Sequence, residues 1–200
     1  MKQIRIIMFG GPALRWPACI RLSIMLAFFL PAGAGAAPLP PVQAVAAGGS
    51  HALALAKDGT VWAWGARDVG APEWGMGAAL GDGTMEEHHT PVPVPGLSAI
   101  SAIAASYRYS LALANDGSLW AWGNNRHGSL GDAKVKERSN PAQVDGLAGI
   151  TAIRAGMFHA MALAKDGALW AWGLNDHGQV GDGTTDDRPT PVRVGHLRSL

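Results

Sequence analysis

An all-β chain of repeated four-stranded antiparallel sheets is the fold class the sequence predicts, and three observations predict it. A fifteen-residue stretch is written three times: HALALAKDGTVWAWG at 51–65, YSLALANDGSLWAWG at 109–123 and HAMALAKDGALWAWG at 159–173, with nine of the fifteen columns identical. Within each copy the apolar residues run with period two instead of 3.6. The pairs Asp58-Gly59, Asp116-Gly117 and Asp166-Gly167 recur after 58 and then 50 residues, the spacing of one propeller blade or solenoid unit.

The chain opens on a segment of a different kind. Residues 1–21 carry Lys2, Arg5, Arg15 and Arg21 and no acid, 22–30 (LSIMLAFFL) are apolar, and 31–36 (PAGAGA) are small. That order is a secretory signal peptide, with A-x-A cleavage expected after Ala36 or Ala34. Nine strongly apolar residues ended by Pro and Gly fall short of the roughly 20 a membrane span needs, so the mature chain is expected to be secreted or periplasmic and to keep no span. Cys19 lies ahead of the apolar run, where it supports no lipid anchor. Without this segment the chain has no cysteine, hence no disulfide, thiol nucleophile or thiolate ligand. Its loss also takes four of the 16 basic residues and leaves 12 against 15 acidic ones, a net charge of −3 that makes no electrostatic case for nucleic acid.

Residues 37–41 form a short proline-rich lead, and three units follow at 42–99, 100–149 and 150–200. Each begins with a short apolar strand at 42–47, 100–105 or 150–155. The repeated stretch then supplies a hairpin. Leu53 and Leu55 alternate with alanines, Val61 and Ala63 alternate with Trp62 and Trp64, and Gly59 closes the turn in a left-handed conformation. Two tryptophans on one face, against a half-alanine strand, predict large-into-small packing between stacked sheets. At ~25 cal/mol per Å² each buried indole contributes roughly 4 to 6 kcal/mol before entropy, so Trp62, Trp64, Trp120, Trp122, Trp170 and Trp172 are read as core, together with the Asp-Gly turns. A fourth strand is expected after Thr90-Pro91, Asn140-Pro141 and Thr190-Pro191, where proline confines it to a sheet edge or to its first position. Four strands per unit make a blade, and the 27 glycines and 13 prolines suit its many turns.

Between the third and fourth strands, units two and three carry GNNRHGSLG at 123–131 and GLNDHGQVG at 173–181, each followed by Asp132 or Asp182. With the Asp-Gly turn and the W-x-W-G strand, these residues resemble the regulator-of-chromosome-condensation repeat, including its secreted, alpha-tubulin-suppressor-like members. The resemblance runs over 42–200 and implies a β-propeller, normally of seven blades, of which three four-stranded blades are written here. It also implies a ring left incomplete, with open blade edges suited to self-association, and a chain that is part of a longer reading frame. Unit one departs from the pattern: residues 65–81 are eight longer, lack the Asn, and contain Trp74 and Met76. That insertion holds Gly70, Pro72, Gly75 and Gly77 without strand period, so it is expected to be exposed and mobile.

The histidines invite a metal reading, because His51 and His159, like His127 and His177, hold equivalent repeat positions. Equivalent positions lie in different blades and do not converge on one ion, so a structural hydrogen-bonding role is expected. Neighbouring residues in the extended 86–89 stretch (EEHH) point apart, and a solvated loop is expected there. The Asp182 to Asp187 run lacks the alternating acids and final Glu of a calcium loop. Without a phosphate cradle or nucleophile elbow, no catalytic residue, metal or cofactor is expected. An up-and-down sheet sends the first turn and the third loop of every blade to the same end. Trp74, Tyr107, Arg108, Tyr109, Met157, Phe158, Arg126, His127, Asp176 and His177 therefore share one rim, and aromatics with Arg on loops suit a protein-binding surface. The expected function is a non-catalytic secreted module, scaffold or inhibitor-like, that binds a protein, or alternatively a polysaccharide, through this rim. The alternatives are a hydrolase or lyase using the rim histidines and a passive cell-surface adhesin repeat.

Overall fold

The computed structural model describes residues 38–65 and 78–195. The export segment, Trp74 and most of the insertion after Gly65 lie outside the described residues. Twelve strands form three sheets. β1 (Val42–Ala47), β2 (His51–Ala56), β3 (Val61–Gly65) and β4 (His88–Pro93) make the first; β5 (Ile100–Ala105), β6 (Tyr109–Ala114), β7 (Leu119–Asn124) and β8 (Glu137–Gln143) the second; β9 (Ile150–Ala155), β10 (His159–Ala164), β11 (Leu169–Gly173) and β12 (Arg188–Arg193) the third. Every pairing is antiparallel between sequence neighbours, so each sheet is an up-and-down blade. The hairpin turns are as read: Gly59 has φ +83°, its N–H bonds to the Ala56 carbonyl at 3.0 Å, and the Asp58 carboxylate accepts from the Thr60 amide at 3.0 Å.

The fourth strands differ from the expectation. They begin at His88, Glu137 and Arg188, ahead of the Thr/Asn-Pro steps, and carry Pro91, Pro141 and Pro191 inside them. An edge strand tolerates this because a proline's missing donor costs nothing where no neighbour waits for it, and β4, β8 and β12 are all edges. The stretch expected as a solvated loop at 86–89 therefore ends in strand: His88 and His89 belong to β4, with His88 bonded to Asp82 at 2.8 Å and His89 near Glu87 at 3.4 Å.

Alternation decides the packing. Along β6, Leu111 and Leu113 point to one face while Ser110, Ala112 and Ala114 point to the other, and β2 and β10 repeat the pattern. The leucine face of one blade meets the alanine-tryptophan face of the next. Leu53, Leu55, Val61, Leu80 and Val94 pack with Ile100, Ala112, Ala114 and Trp122; Leu111, Leu113, Leu119, Leu130 and Val144 pack with Ile150, Ile153, Ala162 and Trp172. The indole N–H of Trp122 donates to the Ala79 carbonyl at 2.8 Å, and that of Trp172 to the Ser129 carbonyl at 2.9 Å. Each bond crosses to the preceding blade from a fully buried ring. β5 packs on β1 and β2, and β9 on β5 and β6, so the first strands are innermost.

The glycine that ends W-x-W-G has its own reason. At Gly123 (φ +107°) a Cβ would lie 2.5 Å from the Arg108 carbonyl oxygen, because the strand end is pressed against the turn between β5 and β6. Only glycine allows that approach, and it fixes the turn that carries the rim.

Candidate functional site

The rim is assembled from the turns between first and second strands and the loops between third and fourth. The loops of the second and third blades are each held from within by a buried asparagine. The Asn175 side-chain amide donates to the carbonyls of Thr184 and Asp186, both at 3.0 Å, while its oxygen accepts from the Val180 amide at 2.8 Å. Asn125 does the same with the Asp132 and Val135 carbonyls and the Leu130 amide. The loop ends are pinned by a second device, in which Asp132 pairs with Arg138 and Asp182 with Arg188. Hydrogen bonding from the Thr184 hydroxyl, followed by Arg188, brings the Asp182 carboxyl down to about 2.

On this frame one continuous cluster spans the second and third blades. Tyr107 stands edge-on to Phe158 (centroids 5.9 Å, planes at 81°), Phe158 lies 5.3 Å from the His127 ring, and His127 Nδ1 is 3.1 Å from the Asp187 carboxylate. Beside it opens a cleft of about 750 Å³ lined by Asn124, Arg126, His127, Lys136, Glu137 and Asp187. Arg126, Asp176 and His177 are exposed, His177 bonding to Asp176 at 2.8 Å, and Met157 is 59% exposed. Tyr107, Phe158, His127, Arg126, Met157, Asp176 and His177 thus lie on the rim at its surface, and Trp74 lies outside the described residues.

Two expected rim residues turn inward. Tyr109 is 1% exposed and Arg108 is 3% exposed. Tyr109 begins β6, and its hydroxyl donates across the blade junction to the carbonyls of Gly156 (3.1 Å) and His159; burial pushes its pKa above the ordinary phenol value. Arg108 packs with its guanidinium 5.2 Å from the Tyr107 ring centre. Tyr109 belongs to the junction between blades and Arg108 is buried beside its own turn, so neither presents itself to a partner.

The same column explains His51. Its Nε2 bonds to the Ser110 hydroxyl at 2.8 Å, and Ser110 donates onward to the Ala79 carbonyl at 2.9 Å. His51 Nε2 is therefore the donor in the neutral ring, and burial pulls its pKa down to about 4. A histidine at hydrogen-bond distance from a serine resembles a base and nucleophile, yet Ser110 is fully buried and its proton is engaged. His51 and Tyr109 are latches between blades, and His159 takes part through its backbone carbonyl, which receives the Tyr109 hydroxyl. Among the described residues no three His, Asp, Glu or Cys side chains gather as a metal site.

Sequence reasoning passed over Asp187, Ser106 and Ser110. Asp187 shows in the sequence only as part of a run that lacks the calcium pattern, and its carboxylate lies 3.1 Å from His127 Nδ1 on the neighbouring loop. Ser106 fastens the turn by donating to the Met157 carbonyl at 2.9 Å and to that of Gly156. Tyr107 lies over Gly49, where a Cβ would come within 2.5 Å of its ring. A comparison of each turn with the next unit's turn, column by column, would have paired Gly49 with Tyr107.

The blade order, the W-x-W-G glycine and the asparagine-clamped loop agree with what sequence comparison finds. The family model for the Regulator of chromosome condensation (RCC1) repeat matches residues 58–113, 116–163 and 166–200, more than half the chain, and a second model of the same repeat matches 42–70, 100–129 and 150–179. The chain belongs to the RCC1 repeat family. The RCC1 matches at 58, 116 and 166 begin at the Asp-Gly turns, half a blade out of step with the sheets, so the first two matches each bridge two blades.

Among curated relatives, the RCC1 domain-containing protein RUG3, mitochondrial, of Arabidopsis thaliana is 39% identical over 44% of this chain. The Ultraviolet-B receptor UVR8 of Arabidopsis thaliana is 33% identical over 42%, and Protein pim1 of Schizosaccharomyces pombe is 32% identical over 42%. The aligned part spans 18%, 18% and 16% of those proteins, less than a fifth of their length. Two crystal structures of Saccharomyces cerevisiae RCC1 (Prp20) superpose with TM-score 0.66 at 24% identity, over 78% of this chain and 37% and 39% of theirs. At that identity they establish the fold, a β-propeller of which this chain holds three blades.

Proposed function

We propose that this RCC1-repeat chain is a non-catalytic, exported binding module whose partner is a protein, held at the rim of the second and third blades. The observation that carries the reading is the continuous Tyr107, Phe158, His127 and Asp187 cluster beside the mixed-charge cleft. Rings fixed in place by their neighbours lose little entropy on binding, and aromatic anchors ringed by charge are where binding energy concentrates. Arg126 and Lys136 against Glu137 and Asp187 suit a surface of both signs, which favours a protein over a neutral polysaccharide. Export rests on the composition of residues 1–36. The relatives carry names as different as a receptor and a ubiquitin ligase, so the repeat is a scaffold and its loops decide what it does.

The test replaces Tyr107 and Phe158 by Ala together and compares the proteins retained by wild-type and variant chains by quantitative mass spectrometry, with urea unfolding as the folding control. At least one protein retained by the wild type should fall by about tenfold or more, the cost of losing one good anchor. An unchanged set with unchanged folding overturns the rim reading and leaves the adhesin-like alternative. A hydrolase or lyase draws support only from the His127 and Asp187 pair. A catalytic rate abolished by His127→Ala in a folded chain would replace the binding reading with that one.

A further inference from the structure

The rim changes sign at the second blade. The loop before the fourth strand reads DGTMEEH at 82–88 in the first blade and DGTTDDR at 182–188 in the third, but DAKVKER at 132–138 in the second. Column by column, Lys134 replaces Thr84 and Thr184, and Lys136 replaces Glu86 and Asp186. Arg126 likewise stands where the third blade has Asp176. Lys134, Lys136 and Arg126 are all exposed, and they lie between one loop that carries Glu86 and Glu87 and another that carries Asp176 and Asp186.

The second loop also follows a different path. Gly83 and Gly183 are left-handed, at φ +88° and +86°, whereas Ala133 in their column has no positive φ, as expected of a residue with a Cβ. Asn175 holds the carbonyls of Thr184 and Asp186, but Asn125 holds those of Asp132 and Val135. The Asn175 amide donates to the Asp187 carboxylate at 2.8 Å, while the Asn125 amide donates to the Lys136 carbonyl at 2.9 Å. Lys136 is thus tied to the buried clamp through its own backbone. The cleft of about 750 Å³ opens at this altered loop, with Val135 and Pro189 on its apolar wall and Arg126 and Lys136 as its cations. Of the acids that line it, Asp132 is paired with Arg138, and Asp187 is engaged by the Asn175 amide and His127. Glu137 is left against two cations.

Resting on the rim reading above, we propose that this cleft takes a short acidic segment of the partner protein, with carboxylates at Lys136, Lys134 and Arg126 and an apolar side chain on the Val135 and Pro189 wall. The acidic loops on either side limit the length of that segment. A nucleic acid, with a charge every roughly 1.7 Å of duplex, would run past the three cations into Glu86 and Glu87 or into Asp176 and Asp186. A few acids set among apolar residues meet the cations alone. Complementarity of this kind is screened by salt and selects the partner by sign.

The test uses the full chain and two fluorescein-labelled hexapeptides, one of glutamate and leucine and one of lysine and leucine, followed by fluorescence anisotropy. The glutamate peptide should bind, the lysine peptide should not, and binding should weaken with added salt. Lys134→Glu combined with Lys136→Glu should lower the affinity about tenfold or more, whereas Lys134→Arg with Lys136→Arg should keep it. The comparison of the two peptides on the wild type stands even where a variant fails the urea control. No binding of the glutamate peptide, equal binding of the lysine peptide, tighter binding of a single-stranded oligonucleotide, or an affinity unmoved by the glutamate substitutions overturns the proposal. Proteins lost on replacing Tyr107 and Phe158 but retained by the Lys134 and Lys136 reversal would sink the acidic segment and leave the rim reading standing.

Discussion

His51 turns a buried latch into a pH dependence. Its folded pKa of about 4 lies below the ordinary 6.5, so on falling pH the unfolded chain takes up the proton first. The contribution is complete above about 6.5 and is lost as pH falls toward 4. Between pH 7 and 4.5 the loss is on the order of 2 to 3 kcal/mol. Urea midpoints across that range should drop in the wild type and be flatter in His51→Gln, which keeps a donor for Ser110 without titrating there. A second residue-scale prediction concerns the link between blades. Ala99 has φ +52° where the next link has Gly149 at φ +61°. A left-handed conformation costs a residue with Cβ about 1 to 2 kcal/mol, and nothing lies within 4 Å of a Cβ built on Gly149. Gly149→Ala should therefore destabilise by roughly that amount, and Ala99→Gly should raise the thermal midpoint. The burial of Arg108 and Tyr109 was hidden from the sequence because a turn residue normally faces solvent, and the carbonyls that hold Tyr109 come from the next unit.

At the scale of one blade, the hairpin was legible because its period of two and its Asp-Gly turn are local signals. Strand four was less so: a Thr-Pro step reads as a boundary, and only the strand's edge position permits proline inside it. Of the six tryptophans expected in the core, only Trp122 and Trp172 are fully buried, because their indoles cross to the preceding blade, while Trp62, Trp64, Trp120 and Trp170 are half-buried. Trp122 is fully buried and bonded to Ala79, while Trp120 is half-buried and bonded to the nearby Ser118 hydroxyl at 3.3 Å. Trp122→Ala should cost about 3 to 5 kcal/mol, and Trp120→Ala distinctly less, by chemical denaturation. The loop clamp is as local. Asn175→Ala strands the Val180 amide and the Thr184 and Asp186 carbonyls, and at about 1 to 3 kcal/mol for each group left buried and unbonded the 173–187 loop should become open to proteases while the strands persist.

For the molecule as a whole, stability resides in the repeated junction of a leucine face with an alanine-tryptophan face, and the rim is a consequence of it. The loops that meet at Phe158 and His127 belong to different blades, so only packed blades bring them together. In such arrays each unit depends on its immediate neighbours. The sequence displayed the repeat but not which copy touches which, because the buried contacts of the junction, Trp122 with Ala79 and Trp172 with Ser129, join one unit's column to a different column of its neighbour. Hydrogen exchange of the indole N–H groups, followed by NMR, tests the junction most directly. The N–H groups of Trp122 and Trp172, bonded across blades at 2.8 and 2.9 Å, should exchange only with unfolding of the junction, far more slowly than those of Trp62 and Trp120, which bond to surface hydroxyls at 3.2 and 3.3 Å. Exchange of Trp122 and Trp172 as fast as that of Trp62 and Trp120 would contradict the junction, and with it the rim built upon it.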